Sequence, residues 1–218
     1  HTVKELLVTS NGKEMLVKAA YFIDATDTGS LLPLTDTEFV TGAESYDMYQ
    51  DPHAPKEGNP KDMQPITWIA AIGFDENGHH VIEKPHMYDY FKQYRMPFDE
   101  SVLSWYAAGL DLHSKRLFSM FATPNTEFSE TPAMFTYRQV IEKTYFKNNF
   151  YNESVTLINW PQNDYIMGNI FEDTNSEFHK YAAKQLTLSL IYWLQTEALR
   201  CDGKGYGYPE IKLMPDVL

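Results

Sequence analysis

The sequence predicts an α+β fold, a mixed or mainly antiparallel sheet with helices packed against it. Three observations predict it. Short apolar runs bounded by turn residues recur along the chain and read as strands. One long amphipathic stretch, Ser176 to Ala198, reads as a helix. Hydrophobic residues make up 43% of the 218 residues and aromatics 15%, enough to bury a sizeable core.

The strands come in order. Val3 to Val8 and Glu14 to Lys18 flank Asn11-Gly12, a strong hairpin-turn pair. Ala19 to Asp24 reads as a buried strand that stops at Asp24. The small, polar run Ala25-Thr26-Asp27-Thr28-Gly29-Ser30 then turns the chain into a short helix at Leu31 to Leu34. Thr37 to Thr41 is a short strand ended by Gly42. Asp51 to Pro65, rich in Pro, Lys, Asp and Asn, is a long loop of the kind that often lies over a binding site. Gln64 to Phe74 is a core strand turned back by Asp75-Glu76-Asn77-Gly78 through His79 and His80, which are expected as exposed strand residues. Pro85 to Asp111 mixes aromatics with charges and carries no clear period. Lys115 to Thr123, Phe135 to Val140 and Val155 to Trp160 read as strands.

In the closing helix Phe178, Ala182, Leu186, Leu190 and Leu194 recur every four residues, flanked by Tyr181 and Trp193. That is an apolar face made to pack on a sheet. Asn175 or Ser176 is placed to cap it, and Glu177 lies in the first turn, where the helix dipole favours negative charge.

Composition excludes several classes. A net charge of −12 argues against nucleic acid and against anionic membrane surfaces as partners. Cys201 is the one cysteine, so neither an intrachain disulfide nor a cysteine-based zinc site can form. Such usage suits a reducing compartment and favours the cytoplasm, with secretion left open. The helix near the C-terminus carries Lys184, Gln185, Gln195 and Glu197, so it is no membrane span, and the chain is expected to be soluble. The histidines are scattered without ligand spacing, and no metal site is expected. Gly-x-Ser-x-Gly is absent. Gly203, Gly205 and Gly207 follow a helix instead of joining a strand to one, the wrong context for a phosphate loop.

Two clusters carry candidate chemistry. In open α/β sheets ligands bind at the carboxyl ends of strands, so the strand-end turn from Asp24 to Gly29 is a candidate cofactor crevice. An ordinary capped turn, with Asp27 or Thr28 as the cap, explains the same residues. The second cluster is Asn159-Trp160-Pro161-Gln162-Asn163-Asp164-Tyr165, which gathers amides, a carboxylate and two aromatics after a strand. Polar groups of this kind fix the orientation of small molecules, and a polar loop packed on the core by Trp160 and Tyr165 explains them too.

Taken in order, several stretches resemble the FAD-dependent oxidoreductases, glutathione-reductase-like flavoproteins of which some members carry the label "xanthan lyase". YFIDATDTGSLLPLTDTEFVTGAES (Tyr21 to Ser45) is similar to the family's strand–DAT–Gly element. KDMQPITW (Lys61 to Trp68), INWPQNDY (Ile158 to Tyr165), LSLIYWLQTEA (Leu188 to Ala198) and YPEIKLMPDVL (Tyr208 to Leu218) resemble later segments. The resemblance implies a two-domain flavoprotein fold. Residues 1–45 would be a partial FAD-binding-domain element, and residues 46–218 a substrate-type domain ending in the long helix and a C-terminal tail.

The resemblance also implies FAD as cofactor, with Asp24, Ala25, Thr26 and Gly29 on the element that approaches it. Asp27 stands where the family often has Gly. The catalytic candidates are Asn163, Asp164 and Tyr165. The family's Gly-x-Gly-x-x-Gly phosphate turn follows no strand in these residues, so the chain resembles an internal fragment. Three readings follow. The parent protein is an FAD-dependent oxidoreductase that takes a hydride from an unidentified small molecule. Alternatively, this piece is a non-catalytic lobe that does not bind FAD alone. A carbohydrate-active lyase or hydrolase is the third. Unpaired strand edges are expected to favour self-association.

Overall fold

The computed structural model describes residues 3–109, 113–123, 131–171, 174–214 and 216. The fold is α+β, as the sequence predicts. It divides into two units, His1–Met63 and Gln64–Leu218.

The first unit begins with the expected hairpin. Strands β1 (Glu5–Ser10) and β2 (Lys13–Lys18) pair antiparallel from Glu5 opposite Lys18 to Ser10 opposite Lys13. Asn11 and Gly12 both take positive φ, 51° and 71°, which matches the right-handed twist of the strands on either side. The next expectation is overturned. Ala19 to Asp24 is not a buried strand: it has no ladder partner among the described residues, and Tyr21 and Ile23 are 90% and 88% exposed. An apolar run with no neighbour to take its backbone groups stays extended and solvated. Thr37 to Thr41 is irregular for the same reason, with Phe39 and Val40 exposed. The short helix after the turn is a single 3-10 turn, Pro33–Thr35. Helix α1 (Tyr46–Tyr49) follows, and Ala43 exchanges backbone hydrogen bonds with Asn59 across the long loop.

In the second unit the run Gln64 to Phe74 splits into β3 (Ile66–Thr67) and β4 (Ala70–Phe74). Helix α2 (Tyr88–Gln93) and strand β5 (Tyr106–Ala108) come from the stretch without a clear period, and β5 pairs with β6 (Lys115–Leu117). Lys115 to Thr123 is thus a strand only at its start. Phe135 to Val140 is divided between helix α3 (Met134–Tyr137) and strand β7 (Gln139–Ile141). Strands β8 (Val155–Ile158) and β9 (Asp164–Tyr165), helix α4 (Ser176–Thr196) and strand β10 (Ile211–Met214) complete it. The main sheet has the order β10-β4-β8-β7, with every neighbour antiparallel.

Helix α4 keeps its predicted period. Ala182, Leu186, Leu190 and Leu194 are buried, whereas Phe178 and Tyr181, in its first turns, stay exposed. Its face packs on β3, β9 and β10. Buried Gln195 ties it to two strands of chain: Oε1 accepts from Ile82 N at 2.9 Å, and Nε2 donates to His80 O at 2.7 Å and Ile211 O at 2.8 Å. His80 is not a strand residue; its ring meets the Asp75 carboxylate at 3.0 Å inside the turn. Beyond the helix, buried Arg200 bonds Asp202, Glu210 and Gly207 O, and lies 4.4 Å from the Tyr208 ring. The Gly203–Gly207 turn is thereby a structural lock. No helix among the described residues is long and apolar enough to cross a membrane.

Candidate functional site

In the first unit, the turn from Asp24 to Leu31 is built by its own side chains. Asp24 Oδ1 accepts from Thr26 N (3.0 Å) and Thr26 Oγ1 (2.7 Å), and Oδ2 accepts from Leu31 N (2.9 Å). Thr26 Oγ1 in turn accepts from Ser30 N at 2.8 Å. These bonds, led by the one from the Thr26 hydroxyl, hold the Asp24 carboxyl below its usual range. The carboxylate is therefore committed to shaping the turn. Gly29 sits at φ +64°, a left-handed conformation that favours glycine, and a Cβ there would meet the Leu32 side chain. Ala25 contributes backbone only. Within the described residues, the backbone N–H groups of Asp27, Thr28 and Gly29 make no hydrogen bond. Successive open N–H groups in a tight turn suit an anionic oxygen. A groove of about 710 Å³ in the same unit runs along β1 and the Leu31 to Thr37 turn. None of the four candidate residues lines it.

In the second unit, the chain leaves β8, makes a 3-10 turn at Pro161–Asn163, and returns as β9 to pair with β3. Asn163 is fully buried and closes this turn. Its Oδ1 accepts from Trp160 N (2.9 Å), and its Nδ2 donates to Thr187 Oγ1 (3.0 Å) and Trp68 O (3.2 Å). Asp164, the next residue, is half-buried. Thr67, opposite it in the ladder, donates its hydroxyl to Oδ1 at 2.5 Å. No cation pairs with Asp164 among the described residues. Burial dominates and raises its carboxyl above the ordinary aspartate range, with the Thr67 bond opposing.

Tyr165 alternates to the other face of the strand. Its buried hydroxyl lies 2.8 Å from His179 Nδ1, and burial first, then Tyr90 and Tyr94, push the phenol up to about 12. The His179 ring occupies the space a side chain at Gly168 would need: a Cβ there would lie 1.9 Å from Cε1. Gly168→Ala is therefore expected to displace His179 and cost about 1–3 kcal/mol. In a His179→Ala background the same change should cost less than about 0.5 kcal/mol, a coupling that a double-mutant cycle of thermal melts reads directly.

Three polar groups of the 160–163 turn stand out for a different reason. Trp160 Nε1 and both polar atoms of the Gln162 carboxamide are buried with no hydrogen-bond partner among the described residues. Buried polar atoms are rarely left so, and a cluster of them in one turn signals a ligand or ordered water.

A profile of the family described as FAD dependent oxidoreductase matches residues 1–216. The chain belongs to this family. No curated protein and no solved structure matches it significantly. FAD is thus the cofactor of the family to which this oxidoreductase chain belongs. In donor and acceptor type, the orphaned groups match one edge of a flavin ring. The imide edge of a flavin ring offers two carbonyl acceptors around one N–H donor, the complement of a carboxamide and an indole N–H.

Of the residues singled out in the sequence, Asn163, Asp164 and Tyr165 share one turn but play three parts. Asn163 supports the backbone, Asp164 presents a carboxyl, and Tyr165 anchors His179. Thr67 was not legible as a site residue. It reaches Asp164 across 97 positions of sequence, and only the β3–β9 register brings the two together.

Proposed function

We propose that this chain supplies substrate-side chemistry in an FAD-dependent oxidoreductase. Bound FAD would supply the acceptor for a hydride from a small-molecule substrate's carbon, and Asp164 would take the proton released from the neighbouring O–H or N–H. The observation that carries this reading is the Asp164 carboxyl: half-buried, without a cation, raised by burial, and held by one hydroxyl. Burial makes such a carboxylate a better proton acceptor than an exposed aspartate, the direction a general base needs.

The chain's own residues do the rest. Thr67 fixes one carboxylate oxygen and leaves Oδ2 for the substrate. Asn163 holds the turn in place behind it. Gln162 and Trp160 would hold the flavin ring through the orphaned groups. Within the first unit, taken by itself, Asp24, Thr26 and Gly29 shape a turn whose open N–H groups suit an anionic oxygen, and Ala25 contributes backbone only.

The test is a titration of the purified chain with FAD, followed by visible absorbance and flavin fluorescence. A bound-flavin spectrum is expected, and Gln162→Met should weaken it at least about tenfold by removing two hydrogen bonds. Riboflavin should show the same loss and ADP none. The variant's thermal midpoint should hold or rise, because an orphaned amide has left the core. A chain that stays colourless with excess FAD would sink the reading in favour of a non-catalytic lobe.

A further inference from the structure

The outer edge of β2 is open, long and apolar. The hairpin has only two strands, its register is unbroken over six pairs, and β2 has no second neighbour among the described residues. Every residue of β2 is exposed, with Leu16 at 55%, Met15 at 51% and Val17 at 42%. A lone two-stranded hairpin is marginal in water, and an exposed apolar edge is a template for another strand.

The phase of the hairpin decides which groups face outward. A two-residue turn closes on a hydrogen-bonded pair, here Ser10 with Lys13. Hydrogen-bonded and non-hydrogen-bonded pairs then alternate, so Glu14, Leu16 and Lys18 turn their backbone N–H and C=O away from β1. The side chains of these same three residues share one face of the strand. Antiparallel pairing of β2 with a second β2, centred on Leu16, uses those outward groups. It sets Leu16 against the partner's Leu16, Met15 against the partner's Val17, and Glu14 against the partner's Lys18. Lys18 already pairs with Glu5 at 3.4 Å within the hairpin. The added strand would extend this into an alternating row of charges, negative, positive, negative. Centring one residue away, at Met15 or Val17, would still pair outward-facing groups but would lose the opposite-charge pairs.

We propose that β2 is a self-association edge, where two copies of this chain join their hairpins into one four-stranded antiparallel sheet about a two-fold axis at Leu16. The interface is isologous, so it closes at a dimer.

Light scattering coupled to size exclusion over a rising concentration series tests it. The wild-type chain should move from monomer to dimer. Leu16→Lys, which sets two ammonium groups face to face, should keep it monomeric, and Glu14→Lys should weaken it. Tyr145→Lys, on a still more exposed aromatic in the other unit, should leave the dimer intact. The chain's one native cysteine, Cys201, is buried, so Leu16→Cys gives a clean second readout. A hydrogen-bonded antiparallel pair has its Cα atoms about 5.5 Å apart, within disulfide range, so mild oxidation should cross-link it at that position. Glu14→Cys under the same conditions should not cross-link, since the partner's Lys18 faces it. A wild-type chain monomeric throughout, a dimer that survives Leu16→Lys, or equal cross-linking at both positions would overturn the proposal.

Discussion

Under the proposed role of Asp164 as general base, Asp164→Asn is expected to lower the rate of flavin reduction by substrate about 10²–10⁴-fold, the range a positioned general base supplies, and to leave FAD binding unchanged. Loss of the flavin's visible absorbance under anaerobic conditions, across a panel of small alcohols and amines, measures it. The substitution keeps the size of the side chain and an acceptor for the Thr67 hydroxyl. It removes only the capacity to take a proton. A variant that reduces flavin at the wild-type rate would leave Asp164 without the assigned role.

The same variant should be more stable than wild type at neutral pH. Burial raises the Asp164 carboxyl in the folded chain above its unfolded value of about 3.9. A group raised in this way favours folding when protonated, so its contribution is complete below the unfolded value and is lost as pH rises through the folded one. The ionised form is a half-buried charge with no cation beside it among the described residues, and asparagine removes that cost. Thermal midpoints of wild type and Asp164→Asn should therefore converge on acidification, with wild type the less stable at pH 7. In the wild type, activity should rise with pH across the interval in which stability from this residue falls. Gain of stability with loss of rate marks a functional group held against the preference of the fold.

How far the sequence reads through to this architecture depends on how local each signal is. The β1–β2 hairpin and helix α4 were legible because a two-residue turn and a four-residue apolar period are contained in their own segments. The run Ala19 to Asp24 has the composition of a buried strand, yet a strand exists only if a neighbour takes its hydrogen bonds, and composition does not name the neighbour. Pro85 to Asp111 stayed opaque because its order is imposed from outside. Met87 N donates to Gln185, and Tyr88 bonds Glu197, both more than ninety positions away. The site divides in the same way. The Asn163-Asp164-Tyr165 cluster announced itself by composition. What each residue does was set by strand alternation and by the distant partners Thr67, Thr187 and His179.

Asn163 shows the consequence most sharply, since sequence placed it beside Asp164 as a candidate for chemistry. Asn163→Leu is expected to destabilise the chain by about 2–5 kcal/mol. The side chain is fully buried, and its removal strands the Trp160 N–H, which has no other acceptor within the turn. Trp68 O keeps the Thr187 hydroxyl at 2.6 Å, so the loss there is partial. Asn163→Asp should be at least as damaging. It retains the acceptor for Trp160 N but replaces the donated bonds with a carboxylate facing the Trp68 carbonyl in a dry environment. Urea unfolding of both variants measures the cost, and flavin reduction well below the midpoint separates the roles. A supporting residue loses stability first and rate only as the turn loosens. A group in contact with substrate would lose rate while the unfolding midpoint stayed in place, and that outcome would move Asn163 from the frame of the site into its chemistry.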